Sequence, residues 1–220
     1  MTIILDMGSG LTCKNDPRQV RDMIHAVYEH DNRKHELILK WQLFREFGDL
    51  APLHPGVFGY AFDYARSLGY ATTASVFDLE SLLFLQKFVT PFVKIACLED
   101  RLYLGDEWGY SGYWQMPVVA SYGSQRHRRI IEGKGWHPLA CVRKYPATVA
   151  DYETAFTEAQ LREGISDHTD HGFGCAPFYL VHHYKPKLYE THFCLDTQDG
   201  PDTGPFALRP GQLAKMLEAI

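Results

Sequence analysis

Along the chain, short apolar runs with β-like composition alternate with segments whose apolar residues recur every three or four positions. The β-like runs are Ile3–Met7, Glu36–Trp41, Tyr70–Ser75, Phe92–Ala96, Pro117–Ser121, His137–Val142, Gly164–Asp167 and Lys187–Phe193. Between them, Val20, Met23, Ile24 and Val27 follow Asp16-Pro17, a suitable helix start. Phe58, Ala61, Phe62, Ala65 and Leu68 run up to Gly69, a suitable helix stop. Leu79, Leu82, Leu83 and Gln86 fit a short helix; Val149, Tyr152, Phe156 and Ala159 form one further stripe, and Leu213, Met216, Leu217 and Ile220 close the chain.

Strands that alternate with helices pair in parallel through right-handed crossovers. Eight such units in 220 residues predict a single-domain (β/α)8 TIM barrel over residues 1–220, trimmed of large insertions. The weakest unit is the fourth crossover, LEDRLYLGDEWGYSGYW, whose aromatic and glycine-rich composition defines no clear helix. An open doubly wound sheet is the alternative, but MGSGLTCKND after the first strand lacks the G-x-G-x-x-G phosphate fingerprint.

In such a barrel the site forms at the C-terminal ends of the strands. Polar residues collect there strand after strand: Asp6; Lys40 and Gln42; Ser75; Lys94 with Glu99 beyond; Ser121; Arg143 and Tyr145; Ser166 and His168; Glu190 and His192, then Asp202 in a turn-rich loop. Lysines, an arginine and hydroxyls converging in one funnel suit a phosphate or carboxylate anion. Histidines on neighbouring strands suit one shared divalent metal. Lys40 and Lys94 inside apolar strands are hard to explain as structural residues, because a buried ammonium needs a partner.

Net charge and composition remove other classes. A charge of −5 gives no broad reason to bind nucleic acid or an anionic membrane. No apolar run approaches the roughly 20 residues of a membrane helix. MTIILDMGSG does not read as a signal peptide, and five cysteines without Cys-x-x-Cys spacing read as the reduced thiols of a cytoplasmic protein. The basic run SQRHRR (124–129) reads as a solvated helix face, Cys97 as a small buried thiol, and His171, His182 and His183 as loop or helix-surface residues.

The motifs KWQLF (40–44), ASVFD (74–78), KIACLE (94–99), ASYG (120–123), CVRKYP (141–146), GISDHT (164–169), ETHF (190–193) and GPD (200–202) stand in an order and spacing that resemble the sialic acid synthase (N-acetylneuraminate synthase) family. The resemblance runs from Ile3 to the last helix. It implies a (β/α)8 barrel that condenses phosphoenolpyruvate with an open-chain amino sugar, usually N-acetylmannosamine, using Mn2+ or a similar ion such as Mg2+ or Co2+. By position, His168 and His192 resemble the metal ligands. Lys40, Ser75, Lys94, Ser121, Tyr145 and Ser166 resemble the phosphoenolpyruvate site, to which Arg143 adds a bidentate donor. Asp6, Gln42, Glu99 and Asp202 resemble the sugar-facing set, and Glu190, Lys94, Tyr145 and Glu99 are the catalytic candidates.

The chain also departs from the family. LDMGSG stands where AEIG-NH is usual, Cys97 replaces a phosphate-contacting serine, Tyr122 a threonine, and Arg143 an asparagine found in some members. Family members are commonly dimers, and bacterial ones carry an antifreeze-like domain after the barrel. The sequence ends at Ile220, which implies a more open sugar pocket and a possible homo-oligomer without that reinforcement. Two other readings stay open: a repurposed barrel binding a sugar or small anion, and a synthase acting on a phosphorylated sugar.

Overall fold

The alternation is realised as eight parallel strands in chain order: β1 (Thr2–Asp6), β2 (Glu36–Leu43), β3 (Ala71–Val76), β4 (Val93–Ile95), β5 (Val118–Tyr122), β6 (His137–Cys141), β7 (Gly164–Asp167) and β8 (Leu188–Phe193). A computed structural model provides these coordinates and describes residues 1–98, 100–103, 116–172 and 178–220. Each strand pairs with its neighbour in sequence, and β8 returns to β1 with Thr2 opposite Leu188 and Asp6 opposite His192. The sheet is therefore closed, as a (β/α)8 barrel requires. A two-residue strand, β9 (Ala207–Leu208), continues beside the end of β8. It was not predicted, because two residues are too few to display a period.

The helices are α1 (Pro17–His30), α2 (Pro55–Ser67), α3 (Leu79–Leu85), α4 (Gln125–Gly133), α5 (Val149–Ala155), α6 (Glu158–Glu163), α7 (Tyr179–Tyr184) and α8 (Pro210–Ala219). The Asp16 side chain caps α1 by accepting from the Arg18 N–H, and Asp78 caps α3 through the Ser81 N–H. Where one helix was expected across 149–159, two form. Phe156 is extended at φ −134° and ψ 149°, and Thr157 opens α6 through a capping box with Gln160. The stripe alone does not reveal that break; the competing cap does. The fourth crossover contributes a 3-10 turn at Asp100–Tyr103, and its remaining residues, 104–115, lie outside the described ones.

Strand alternation sorts the core into two parts. Ile4, Ile38, Phe92, Val119, Leu139 and Leu188 fill the lower barrel interior. Ile3, Leu5, Leu39, Trp41, Ile165 and Tyr189 face outward into the larger core beneath the helices, with Phe58, Tyr152 and Leu213. Two residues further along each strand, the inward positions become Asp6, Lys40, Ser121, Cys141 and Glu190. The apolar plug thus forms the floor of a polar upper chamber. Among the described residues, no helix is long and apolar enough to cross a membrane.

Candidate active site

The upper chamber is a cavity of about 320 Å³. Its walls carry Asp6, Lys40, Gln42, Ser75, Lys94, Ser121, Arg143, Tyr145, Ser166, His168, Glu190, His192 and Asp202. All of these were read from strand ends and the loop after β8. Glu99, the remaining member of that set, lies outside the described residues.

Glu190 sits between the two lysines. Its Oε1 is 2.8 Å from Lys40 Nζ and its Oε2 is 3.2 Å from Lys94 Nζ. Lys40 also donates to Asp6 Oδ2 at 2.6 Å and to Ser75 Oγ at 3.1 Å. Lys94 donates to Ser121 Oγ at 2.7 Å and to the Ile95 carbonyl at 3.1 Å. Each ammonium thus meets three acceptors, which is what its burial demands. Burial pushes the Glu190 carboxyl up, but Lys40 and Lys94 outweigh it and hold the group well below the usual carboxylate range. Asp6 follows the same balance, with burial opposed by Lys40 and then His192, and is also lowered. Burial pushes Lys40 down, yet Asp6 and Glu190 reverse the sign and raise it. The cluster is a set of ionised groups, not shared protons.

Two hydroxyls are prepared by this arrangement. Ser75 and Ser121 each accept from a lysine, so their own protons are free to donate toward an anion in the cavity they line. Next to them, the Cys141 thiol bonded to Cys97 lowers Cys97 against burial, and Lys94 and Arg143 add to the lowering. Cys97 is therefore a half-buried thiol facing the cavity, rather than the buried filler expected. The described cysteines, 13, 97, 141 and 194, are all free.

Above the lysines stand the histidines, their ring centres 5.5 Å apart. His168 Nδ1 lies 2.8 Å from the Val142 carbonyl, which can only accept, so the ring proton belongs on Nδ1 and Nε2 keeps a free lone pair. Burial, then the neighbouring His192, lowers His168 to about 4, so it is neutral at pH 7. His192 Nδ1 has no hydrogen-bond partner among the described residues and lies 3.7 Å from Asp6 and 3.6 Å from Asp202. Two imidazoles on adjacent strands, one of them neutral with its tautomer fixed from behind, are a donor set that fits a divalent cation. Tyr145, half exposed, packs its ring against His168 at a 32° tilt, centre to centre 4.1 Å.

The remaining wall is shaped by loops. Asp202 accepts from Thr12 Oγ1 at 2.5 Å and from Gln42 at 3.2 Å, and Gln42 also donates to Asp6 at 3.1 Å. Gly8 makes this packing possible: its φ is +77°, and a Cβ there would come within 2.7 Å of Asp202 Oδ2. Phe47, Phe77 and Phe206 close the mouth. Sequence reasoning missed Thr12 and these aromatics, because only the fold brings their loops to the cavity. His171 lies in a loop, as read, but its burial was not foreseen. That ring is buried, with Nε2 3.0 Å from Thr191 Oγ1, while the backbone N–H of His171 donates to the Pro205 carbonyl at 2.7 Å. The turn after β7 tucks under the 202–206 loop, which a polar, glycine-flanked sequence does not advertise. His182 and His183 are exposed on α7, as expected. The basic run begins α4, where Arg128 pairs with Glu132 and Glu163 at 2.7 and 2.8 Å.

Known structures share the barrel. An N-acetylneuraminic acid (sialic acid) synthetase from Leptospira borgpetersenii serovar Hardjo-bovis superposes with a TM-score of 0.75 at 21% identity, covering 99% of this chain and 81% of that one. A protein named for spore coat polysaccharide biosynthesis (protein E) from Chromobacterium violaceum gives 0.74 at 18% identity, covering 99% and 73%. A truncated 3-deoxy-D-arabino-heptulosonate 7-phosphate synthase from Thermotoga maritima gives 0.63 at 9%, covering 99% and 84%. At these identities the likenesses carry the fold. No curated protein sequence matches the chain. The sequence profile of the NeuB family, however, matches residues 53–220, about three quarters of the chain and six of its eight barrel strands in full, β3 to β8. The chain belongs to the NeuB family.

Proposed function

We propose that this protein condenses phosphoenolpyruvate with an open-chain aldose or aminoaldose of the N-acetylmannosamine type, giving a keto-sugar acid and phosphate. The observation that carries the reading is the ionised Glu190 held between two buried lysines, directly below the paired rings of His168 and His192. Family membership supplies the general class, a synthase that uses phosphoenolpyruvate to make a sugar acid.

In this reading Lys40, Lys94, Arg143, Tyr145 and the hydroxyls of Ser75, Ser121 and Ser166 hold the carboxylate and phosphate of phosphoenolpyruvate. Asp6, Gln42, Asp202 and Glu99 face the sugar. His168 and His192 would hold a divalent cation, Mn2+ by preference, which when bound supplies Lewis-acid polarisation of the sugar aldehyde. The methylene carbon of phosphoenolpyruvate forms the new bond to the aldehyde carbon, whose C=O π bond breaks toward oxygen; that oxygen takes up a proton to become a hydroxyl, and positive charge is left on the second carbon of phosphoenolpyruvate. Glu190, kept anionic by its lysines, stabilises that charge and accepts a proton from the water that adds there. The bond from that carbon to the phosphate oxygen then breaks. Phosphate leaves with its bridging oxygen, its charge balanced by Lys40 and Lys94, and a ketone remains.

The test is phosphate release from phosphoenolpyruvate with Mn2+ across a panel of aldoses led by N-acetylmannosamine. Sugar phosphates are included, so that an acceptor carrying a terminal phosphate is also seen. Release is expected to depend on the aldose and to stop with a chelator. The competing reading, a barrel that only binds a small anion, draws on Glu190 as a plain counter-charge. It predicts phosphoenolpyruvate binding without release, and binding that survives His168→Ala.

A further inference from the structure

β6 and β7 pair over two residues only, Ala140 with Ile165 and Cys141 with Ser166, and then diverge. The peptide that carries His168 therefore leaves the ladder just where its side chain must be held. Its carbonyl is taken by the Ala147 N–H at 2.8 Å, and its ring by the Val142 carbonyl. Its own N–H is left to a helix. Tyr152 of α5, fully buried, accepts that N–H at 3.0 Å and donates its hydroxyl proton to the Ser166 carbonyl at 2.6 Å. One phenol thus spans the last inward pair of β7 from behind, joining the backbone of an anion-site serine to that of a metal-site histidine.

Its ring is fixed in turn. Tyr152 lies 6.2 Å from Phe156, which meets Tyr122 edge-on at 5.4 Å, and α5 is started by a capping box between Thr148 and Asp151. The hydroxyl does not reach the cavity, so it has no part in touching substrate.

We propose that Tyr152 is a positioning residue: its hydroxyl clasps the end of β7 and sets His168 and Ser166 at the heights the cavity needs. The inference rests on the reading of His168 as a metal ligand. Partners behind a metal ligand commonly matter tenfold or more for metal affinity.

The experiment is Mn2+ titration, followed by the loss of the free-ion electron paramagnetic resonance signal, for the unmutated protein, Tyr152→Phe and Tyr189→Phe. Tyr189 is the control. It is an equally buried phenol whose hydroxyl donates to the Asp167 side chain at 2.6 Å and to neither His168 nor Ser166 backbone. Tyr152→Phe is expected to weaken Mn2+ about tenfold or more, and Tyr189→Phe by less than about twofold, with both variants losing thermal stability. Unmutated protein that takes up no Mn2+ overturns the metal reading and this inference with it. Uptake by the unmutated protein with an unchanged Tyr152→Phe, or equal losses in both variants, overturns the inference alone. Amide exchange in the unmutated protein covers a Tyr152→Phe chain that does not fold. The His168 amide is expected to be as protected as those of Ile165–Asp167, and fast exchange there contradicts the clasp.

Discussion

Glu190 is the residue on which the electrostatics turn. Its carboxylate faces two ammonium groups, 2.8 and 3.2 Å away, in a chamber that excludes most solvent. Glu190→Gln keeps the size and removes the charge, leaving Lys40 with Asp6 and Lys94 with no ion-pair partner among the described residues. Turnover is predicted to fall by about 10² or more, while phosphoenolpyruvate affinity is held or strengthened by the uncompensated positive charge. Parallel steady-state and binding measurements separate the two quantities. Equal losses in both would mean that Glu190 only organises the lysines. His168 sets a pH dependence. Its folded value of about 4 lies below its ordinary one, so in the metal-free protein the unfolded chain takes up a proton that the folded chain refuses. Stability is unaffected by this group above about pH 6.5 and falls as pH drops toward 4. Urea unfolding at pH 7 and pH 5 should show about 2 kcal/mol of loss that is missing in His168→Asn. Equal slopes would place the sensitivity elsewhere.

At the scale of elements, strand alternation builds the site. Gly164, the first residue of β7, shows how tightly the floor is filled: a Cβ there would lie 2.4 Å from Leu139 and 3.3 Å from the carbonyls of Leu188 and Pro138. Gly164→Ala is predicted to cost about 1–3 kcal/mol by overpacking, read by denaturant melts, whereas an unchanged midpoint would show that the floor has room. The same alternation explains what could be read without coordinates. Lys40 and Gln42, or Glu190 and His192, are two apart on a strand and must share a side, so every described strand-end candidate reached the cavity. Asp16 and Gly69 marked helix ends by local chemistry alone. What could not be read depended on contacts far apart in sequence. Thr12 meets Asp202 across 190 positions, and His171 is buried by Thr191 and Pro205. The division of α5 from α6 needed Thr157 to be recognised as a cap inside an apolar stripe.

For the whole molecule, closure of β8 on β1 is what turns separate strand ends into one chamber: Asp6 stands opposite both Lys40 and His192 because β1 lies between β2 and β8. In the proposed reading the chamber joins an anion half, built on Lys40, Lys94 and the serines, to a metal half under His168 and His192. In the proposed reaction both halves act on one bond-forming event, with water adding to carbon and never to phosphorus. The direct measurement is aldose-dependent phosphate release in water enriched with oxygen-18, with mass analysis of the phosphate. Cleavage between carbon and oxygen predicts phosphate free of the label, because the bridging oxygen comes from phosphoenolpyruvate. Labelled phosphate would mean attack at phosphorus and would contradict the assignment of Glu190, the lysines and the histidines to a carbon–carbon bond-forming site.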